Sequence, residues 1–549
     1  MQSQQKATAI EPIVAPMTPK IQSDLEQTLP EDEDARKLQA LGHKQELRRN
    51  FSTYSIAAMG FVNGNAWSAL GGSILVAIYN GGLAGVLYEL IAVSLAYGVI
   101  TMSLAELASS IPSSGGVYHW ATVVAGPKYG RIVGFYAGWF NFLAWVFATS
   151  STCAILGNAL VQMYLISHPE VVWKPWMVFI AFQLLNWLGC FIVCCGNNFL
   201  PMLNYVGAFV MVSGVFVSII VLAAMPKVHA TNEFVWRSFV NGTGWSNNGL
   251  VFIMGMLNGA YSVGTPDCTT HLAEEVKRPE VAVPKAMFFQ LILGFATAFA
   301  FVVGLAYSIV DLDSVLNIQS SFPLTGIYLQ ATGSQAGAVG LTCVIFLAYF
   351  VALPDTFIAS GRMFWALARD RATPFSDYFA KVSERWDNPI RANVLCAIVT
   401  TCVGCIYVGN TTAFNAFVGS FVVLTTISYG IAIASHMAAG RKSILPGPFH
   451  LGRWGWLVNT ISILYIAFSD IVFCFPFVQP VNAANMNYVS VIVGGFTAFV
   501  TLWWRFRARS NYEGPKYIPQ ILEGEEALHE GQSRSPVEDK EKVEASVPL

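Results

Sequence analysis

About twelve stretches of roughly twenty apolar residues recur along this chain, the first near Tyr54 and the last ending near Arg505. No soluble fold has room for that many. A bilayer core about 30 Å thick is crossed by about 20 helical residues rising 1.5 Å each. Composition points the same way, with 54% hydrophobic and 12% charged residues, against about 25% charged in soluble domains. Hydrophobic patterning predicts spans at 54–79, 83–108, 131–164, 175–195, 200–225 and 249–273. Six more follow at 284–310, 336–368, 392–409, 413–438, 453–478 and 484–506. The expected fold class is an all-α polytopic membrane protein of about 12 transmembrane helices.

Three regions follow from this pattern. Residues 1–50 form an N-terminal tail: 1–32 reads as disordered, and 33–51 as a short amphipathic surface helix with Leu38, Leu41 and Leu47. Residues 51–508 form the membrane domain, and 509–549 an acidic tail expected to be disordered. Lys and Arg crowd the loops on one side of the spans, while the opposite loops hold only Lys174, Lys227 and Arg237. That asymmetry predicts both termini in the cytoplasm of a multi-pass protein, with plasma membrane the expected location. The sequon Asn241-Gly242-Thr243 and a weaker one at Asn410 then fall outside.

Several function classes are excluded. A net charge of −2 offers no cationic surface for nucleic acid. The ten cysteines lie in apolar stretches, and the Cys402/Cys405 pair has no companion set for zinc, so neither a metal nor a cofactor is expected. A polar start to the chain argues against a cleavable signal peptide. An embedded enzyme would need a nucleophile or base with a partner, and only His271 beside Asp267 is so placed; no catalytic residue is assigned.

The informative segments are the ones that break the rules for apolar helices. The first span reads MGFVNGNAWS from Met59 and the sixth MGMLNGAYS from Met254, both Met-Gly-x-x-Asn-Gly followed by Ala, an aromatic residue and Ser. Gly weakens a helix and Asn competes for backbone hydrogen bonds. Such backbone is tolerated at membrane depth only around a cavity or packed in protein. Interruptions at corresponding places in two halves point to the central site of a carrier. Asn63, Gly64, Asn65, Asn258 and Gly259 are expected to line it, with Trp67, Tyr261 and Ser262 beside them. Asp267 and His271, one turn apart, are candidates for cation recognition or a proton relay. Glu106, Asp355 and Arg362 suit structural or gating roles, and Glu274 and Glu275 read as a solvated cluster. Trp139, Trp145, Phe364 and Trp365 could hold a quaternary ammonium, although sequence does not separate this from packing.

The segments LGHKQELRRNFS (41–52), AELASSIPSSGGVYHWA (105–121), HLAEEVKRPEVAVPKAM (271–287) and ASGRMFWALARDRATPFS (359–376) carry a resemblance. With PGPFHLGRWGWLVN (446–459) and NMNYVSV (485–491), they resemble the amino acid–polyamine–organocation superfamily, in particular its fungal amino acid/choline permeases. The resemblance implies a 5+5 inverted repeat with broken helices 1 and 6 plus two extra helices, alternating access, and a re-entrant turn at SSIPSSGGVYHWA. It implies a symporter importing a small nitrogenous solute, with choline first and gamma-aminobutyrate, another amino acid or a polyamine behind. Proton coupling is expected, yet the fifth span lacks the Lys that often serves it in the superfamily. The expected partners are that solute, the lipid bilayer and protons. A non-transporting nutrient sensor on the same fold is the alternative of another class.

Overall fold

A computed structural model describes residues 34, 38–39, 47 and 49–515, apart from 313–321, 410–412, 484 and 513. The expected surface helix over 33–51 lies mostly, and the acidic tail almost wholly, outside the described residues, as does the Asn410 sequon. The chain divides into two units, residues 1–44 with 518–549 and residues 45–517. All that follows concerns the second.

The first crossing is made in two pieces, α1 (Thr53–Gly64) and α2 (Ala66–Gly72). Next come α3 (Gly82–Ser110), the short α4 (Val117–Val124), α5 (Gly126–Ser167), α6 (Pro175–Cys195) and α7 (Leu200–Ala224). The same order then repeats. α8 (Asn248–Val263) with a 3₁₀ run over Pro266–Glu275 makes a split crossing, and α9 (Pro279–Ser308) an unbroken one. The short α10 (Leu324–Thr332) precedes α11 (Gln335–Arg369), α12 (Ile390–Gly409) and α13 (Ala413–Ala438). Each half is thus a split span, a whole span, a short helix and three whole spans. Five crossings is an odd number, so the second half enters the membrane from the side opposite to the first. α14 (Gly455–Val472) and α15 (Val489–Trp503) are the two additional spans. Among the described residues ten helices are long and apolar enough to cross a membrane; the two split crossings bring the spans to twelve.

Local chemistry sets the ends of these elements. Ser52 caps α1 through a capping box with Ser55, closing two backbone donors at once. Pro stands in the first turn of α6, α7 and α9, where its missing N–H is not needed. The 42 residues of α5 extend about 63 Å at 1.5 Å each, so this helix tilts or overshoots the bilayer. On the face opposite the start of α1 and the end of α15, the hairpin face, β1 (Asn80–Gly81) pairs antiparallel with β2 (Val240–Asn241) and ties the loop after the first span to the loop before the sixth. Gly81 there has φ 120°, and a Cβ would stand 2.6 Å from the Phe239 ring.

α5 packs along α11 and α13 at the centre. Peripheral helices turn large apolar side chains outward, among them Phe209, Phe216 and Ile220 of α7 and Leu464 and Phe468 of α14. Lipid tails are as apolar as Leu, so this exposure suits a bilayer.

Candidate functional site

Both spans are interrupted, the first inside its motif and the sixth beyond the end of it. In the first span the chain turns at Asn65, whose φ of 46° and ψ of 33° are left-handed, between α1 and α2. Asn is among the few non-glycine residues that adopt this conformation readily. Ser68 donates to the Asn65 side-chain and backbone oxygens, holding the turn. In the sixth span the expectation was misplaced: Asn258 and Gly259 lie inside continuous α8, and the helix stops at Gly264 and Thr265. Pro266 then has no N–H to give the preceding turn, and the chain continues as a 3₁₀ run of 10 residues. Runs beyond three or four residues are uncommon, and mid-helix 3₁₀ marks hinges.

The motif residues around the sixth break act mostly as struts. Ser262 Oγ donates to Ala66 O at 2.7 Å and Asn258 Nδ2 to Leu70 O at 3.4 Å, tying α8 to α2. Ser73 Oγ adds a bond of 2.5 Å to Asn258 Oδ1. Gly259 admits α3: a Cβ there would stand 2.6 Å from Val93 Cγ1, a small-residue helix contact. Trp67 packs edge-on to Phe301, centroids 5.2 Å apart, away from the breaks.

A cavity of about 30 Å³ lies where the breaks meet, room for one or two water molecules and too small for an organic solute. Asn63, Gly64, Asn65 and Ala69 of the first span and Tyr261 and Thr265 of the sixth line it. Trp145, Ala148 and Thr152 of α5, Tyr349, Ala352 and Thr356 of α11 and Phe421 of α13 complete the wall. Four aromatic rings therefore border it. The Trp145 and Tyr261 rings each lie 5.8 Å from that of Phe421, and the Tyr261 hydroxyl is 2.8 Å from Ser151 Oγ. Among the described residues Asn63 Oδ1 and Asn65 Nδ2 are buried without a hydrogen-bond partner. Buried polar atoms are seldom left so, and a bound polar solute would satisfy them.

Asp267 stands one ring behind this wall. It is fully buried and accepts from Asn141 Nδ2 at 2.8 Å, Trp145 Nε1 at 3.2 Å and the Tyr429 hydroxyl. His271 Nε2 faces it at 3.4 Å, while His271 Nδ1 lies 3.1 Å from Ser114 O. A carbonyl only accepts, so Nδ1 carries a proton. Asp267 thus touches the cavity only through the Trp145 indole.

Tyr349, Phe421 and Gln290 are the residues that sequence reasoning missed. Gln290 of α9 donates to Thr265 O at 2.9 Å, repairing the sixth break, and packs at 3.0 Å from where a Gly64 Cβ would be. A lone Gln in the apolar run AMFFQLILG was the signal. Trp139 instead packs among Phe135, Phe142 and Phe499, and Trp365 bonds Ala380 O and stacks on Arg369.

On the face where α1 begins and α15 ends, the termini face, Glu274 and Glu275 are buried, contrary to the solvated reading. Arg362 Nε meets Glu275 Oε1 at 2.8 Å and Arg369 bonds both Glu274 oxygens at 3.1 and 3.2 Å. The Ser114 N–H of the re-entrant turn also donates to Glu274, at 3.2 Å. Glu106 accepts from Arg441 at 2.5 Å and from the Leu451 N–H at 3.0 Å. Asp355 faces the Asn204 amide nitrogen at 2.8 Å, and Asp470 accepts from Thr426 at 2.6 Å.

A helical bundle of two inverted halves, with a small polar and aromatic cavity at paired interruptions, defines a multi-pass membrane transporter. The family model described as amino acid permease matches residues 50–497, and the chain belongs to that family. It is 33% identical over 483 residues to a choline transporter of Saccharomyces cerevisiae, covering 88% of this chain and 85% of the relative. It is 27% identical to an amino-acid permease of Arabidopsis thaliana, covering 88% and 96% of the two chains. A transmembrane transporter of Metarhizium robertsii matches at 28% over 85% and 93%. These relatives are permeases and transporters, not enzymes.

Proposed function

We propose that this chain is a secondary carrier importing choline by alternating access, with a proton as coupling ion. It would sit in the plasma membrane with both termini in the cytoplasm, as the Lys and Arg distribution supports. The observation that carries the substrate reading is the aromatic wall of the cavity, with the Trp145 N–H bonded to Asp267. A quaternary ammonium has no N–H to donate, so rings recognise it through their negative faces, by about 0.5–2 kcal/mol each. A carboxylate accepting from the indole N–H makes that face more negative, so Asp267 favours a cation without touching it. His271 Nε2 lies 3.4 Å from the same carboxylate. The choline transporter among the relatives supports the same substrate.

An amino acid is the second reading, favoured by the unspent Asn65 Nδ2 donor, which suits a carboxylate. Competition decides between them. In proteoliposomes, unlabelled choline is expected to suppress uptake of radiolabelled choline far better than gamma-aminobutyrate or lysine does. Stronger uptake of either amino acid would replace the choline reading, and flux of none of them would favour a sensor.

A further inference from the structure

The second span carries a carboxyl group that nothing above uses. Glu89 lies about 10 Å along α3 from its end on the hairpin face, at 1.5 Å per residue. Its side chain is 1% exposed, and neither carboxyl oxygen has a hydrogen-bond partner among the described residues. It is wedged into the seam between α3 and α8. A Cβ on Gly255 would collide with the Glu89 carboxyl group, and one turn on, Gly259 takes Val93 in the same way.

The contrast with Asp267 is decisive. That carboxylate is also fully buried, but three donors and His271 surround it, so its charge is accommodated. Around Glu89 there is nothing comparable. α8 brings only Tyr261, which is engaged with Ser151; α2 and the Leu75–Ile78 turn bring no titratable group, Tyr79 just after that turn packs on Gly242, and Tyr118 and His119 of α4 face Asp370. On α9, Tyr307 bonds Asn232, and Glu280 and Lys285 lie at the opposite end. On α14, Asp470 is held by Thr426 and Tyr465 packs on Tyr97. On α13, His436 stands by Glu106 at the far end and Tyr429 bonds Asp267, while Asp267, His271, Glu274 and Glu275 of the 3₁₀ run are all paired. Glu233 and Arg237 belong to the loop helix, and Tyr88 of α3 itself bonds Trp236 O. None forms a hydrogen bond or ion pair with Glu89. A bare carboxylate in that seam would be an uncompensated charge in an apolar medium, which a protein avoids by taking up a proton.

We propose that Glu89 is a proton-binding site whose protonation permits α8 to close on α3. The proton comes from the solution bathing the hairpin face, binds a carboxyl oxygen as the seam shuts, and returns to that solution when α8 swings away and water reaches the group. Closure then depends on pH on that face alone. This rests on the carrier reading but has a readout independent of flux.

Two measurements test it. In infrared difference spectra of purified wild type against Glu89→Gln at neutral pH, the wild type is expected to show the C=O stretch of a protonated carboxylic acid, which Glu89→Gln lacks. In proteoliposomes oriented with the hairpin face outward and the lumen buffered, wild-type uptake of radiolabelled choline should fall, on the alkaline side of the Glu89 midpoint, by about tenfold per pH unit beyond the dependence that the coupling proton imposes, as one further required proton dictates. Glu89→Gln, neutral at every pH, should lose that extra tenfold factor and keep only the dependence of the coupling proton, so that it outruns the wild type at alkaline pH. Absence of the carboxylic acid band overturns the proposal, and so does an unchanged pH profile in Glu89→Gln. If choline, gamma-aminobutyrate and lysine all give no flux, the carrier reading fails, while the infrared band still decides the state of Glu89.

Discussion

The Trp145 indole faces the cavity with its ring and Asp267 with its N–H, so one side chain joins substrate recognition to a buried charge. Substituting it separates the two. Trp145→Leu removes the ring and is expected to raise the choline KM about tenfold to thirtyfold, as loss of up to about 2 kcal/mol of cation–π attraction requires. Trp145→Phe keeps a smaller ring and loses only the hydrogen bond, so its KM should rise several-fold less. Equal effects of the two variants in concentration-dependent uptake would remove the ring from the recognition scheme. Gln290→Leu tests the repair of the sixth break. It leaves the Thr265 carbonyl with one fewer donor, a cost of about 1–3 kcal/mol, visible as a lower Tm of the purified protein. Neither residue stood out from composition. Trp145 was one of several aromatic residues along the spans, and Tyr349 and Phe421 sit in regular helices whose sequences carry no irregularity. Only folding brings those rings to one cavity.

The first interruption was legible, because Gly and Asn in an apolar helix conflict with helix propensity and the chain resolves that conflict at Asn65. The position of the sixth was not. Its Asn-Gly pair resembles that of the first span but serves packing, with Asn258 bonded across to α2 and Gly259 admitting Val93. The helix ends later, at Gly264-Thr265-Pro266, where Pro supplies the stop. For the first break, backbone and side chain can be distinguished. Asn65→Gly and Asn65→Ala both delete the amide, but Gly enters the left-handed region freely, whereas Ala does so at a cost of about 1 kcal/mol. Asn65→Gly should therefore transport choline about fivefold faster than Asn65→Ala at equal surface expression. Equal rates would mean that the turn at residue 65 is not needed for turnover.

At the scale of the molecule, alternating access requires the two faces to part in turn, and on the termini face buried ion pairs hold the 3₁₀ run to the end of α11. The two pairs are not equivalent. Arg362 and Glu275 are both almost fully buried, and breaking such a pair from one side leaves a bare charge, at a cost of about 3–5 kcal/mol. Arg362→Met is therefore expected to destabilise the whole fold and lower Tm. Arg369 is 10% exposed at the rim, and its partner Glu274 also receives the Ser114 N–H. When Arg369 is lost that carboxylate keeps the Ser114 N–H and gains access to water once the face loosens, so the cost falls on the closed state rather than on folding. Cys268 reports on this directly, since it lies buried in the 3₁₀ run against Gln290. In a background with the other nine cysteines replaced, Arg369→Gln should raise the rate of maleimide labelling of Cys268 from the termini face about tenfold. That factor corresponds to a shift of about 1.4 kcal/mol toward the open state. An unchanged labelling rate with a lowered Tm would show that Arg369, like Arg362, only holds the fold together, and the opening of this face would have to be sought elsewhere.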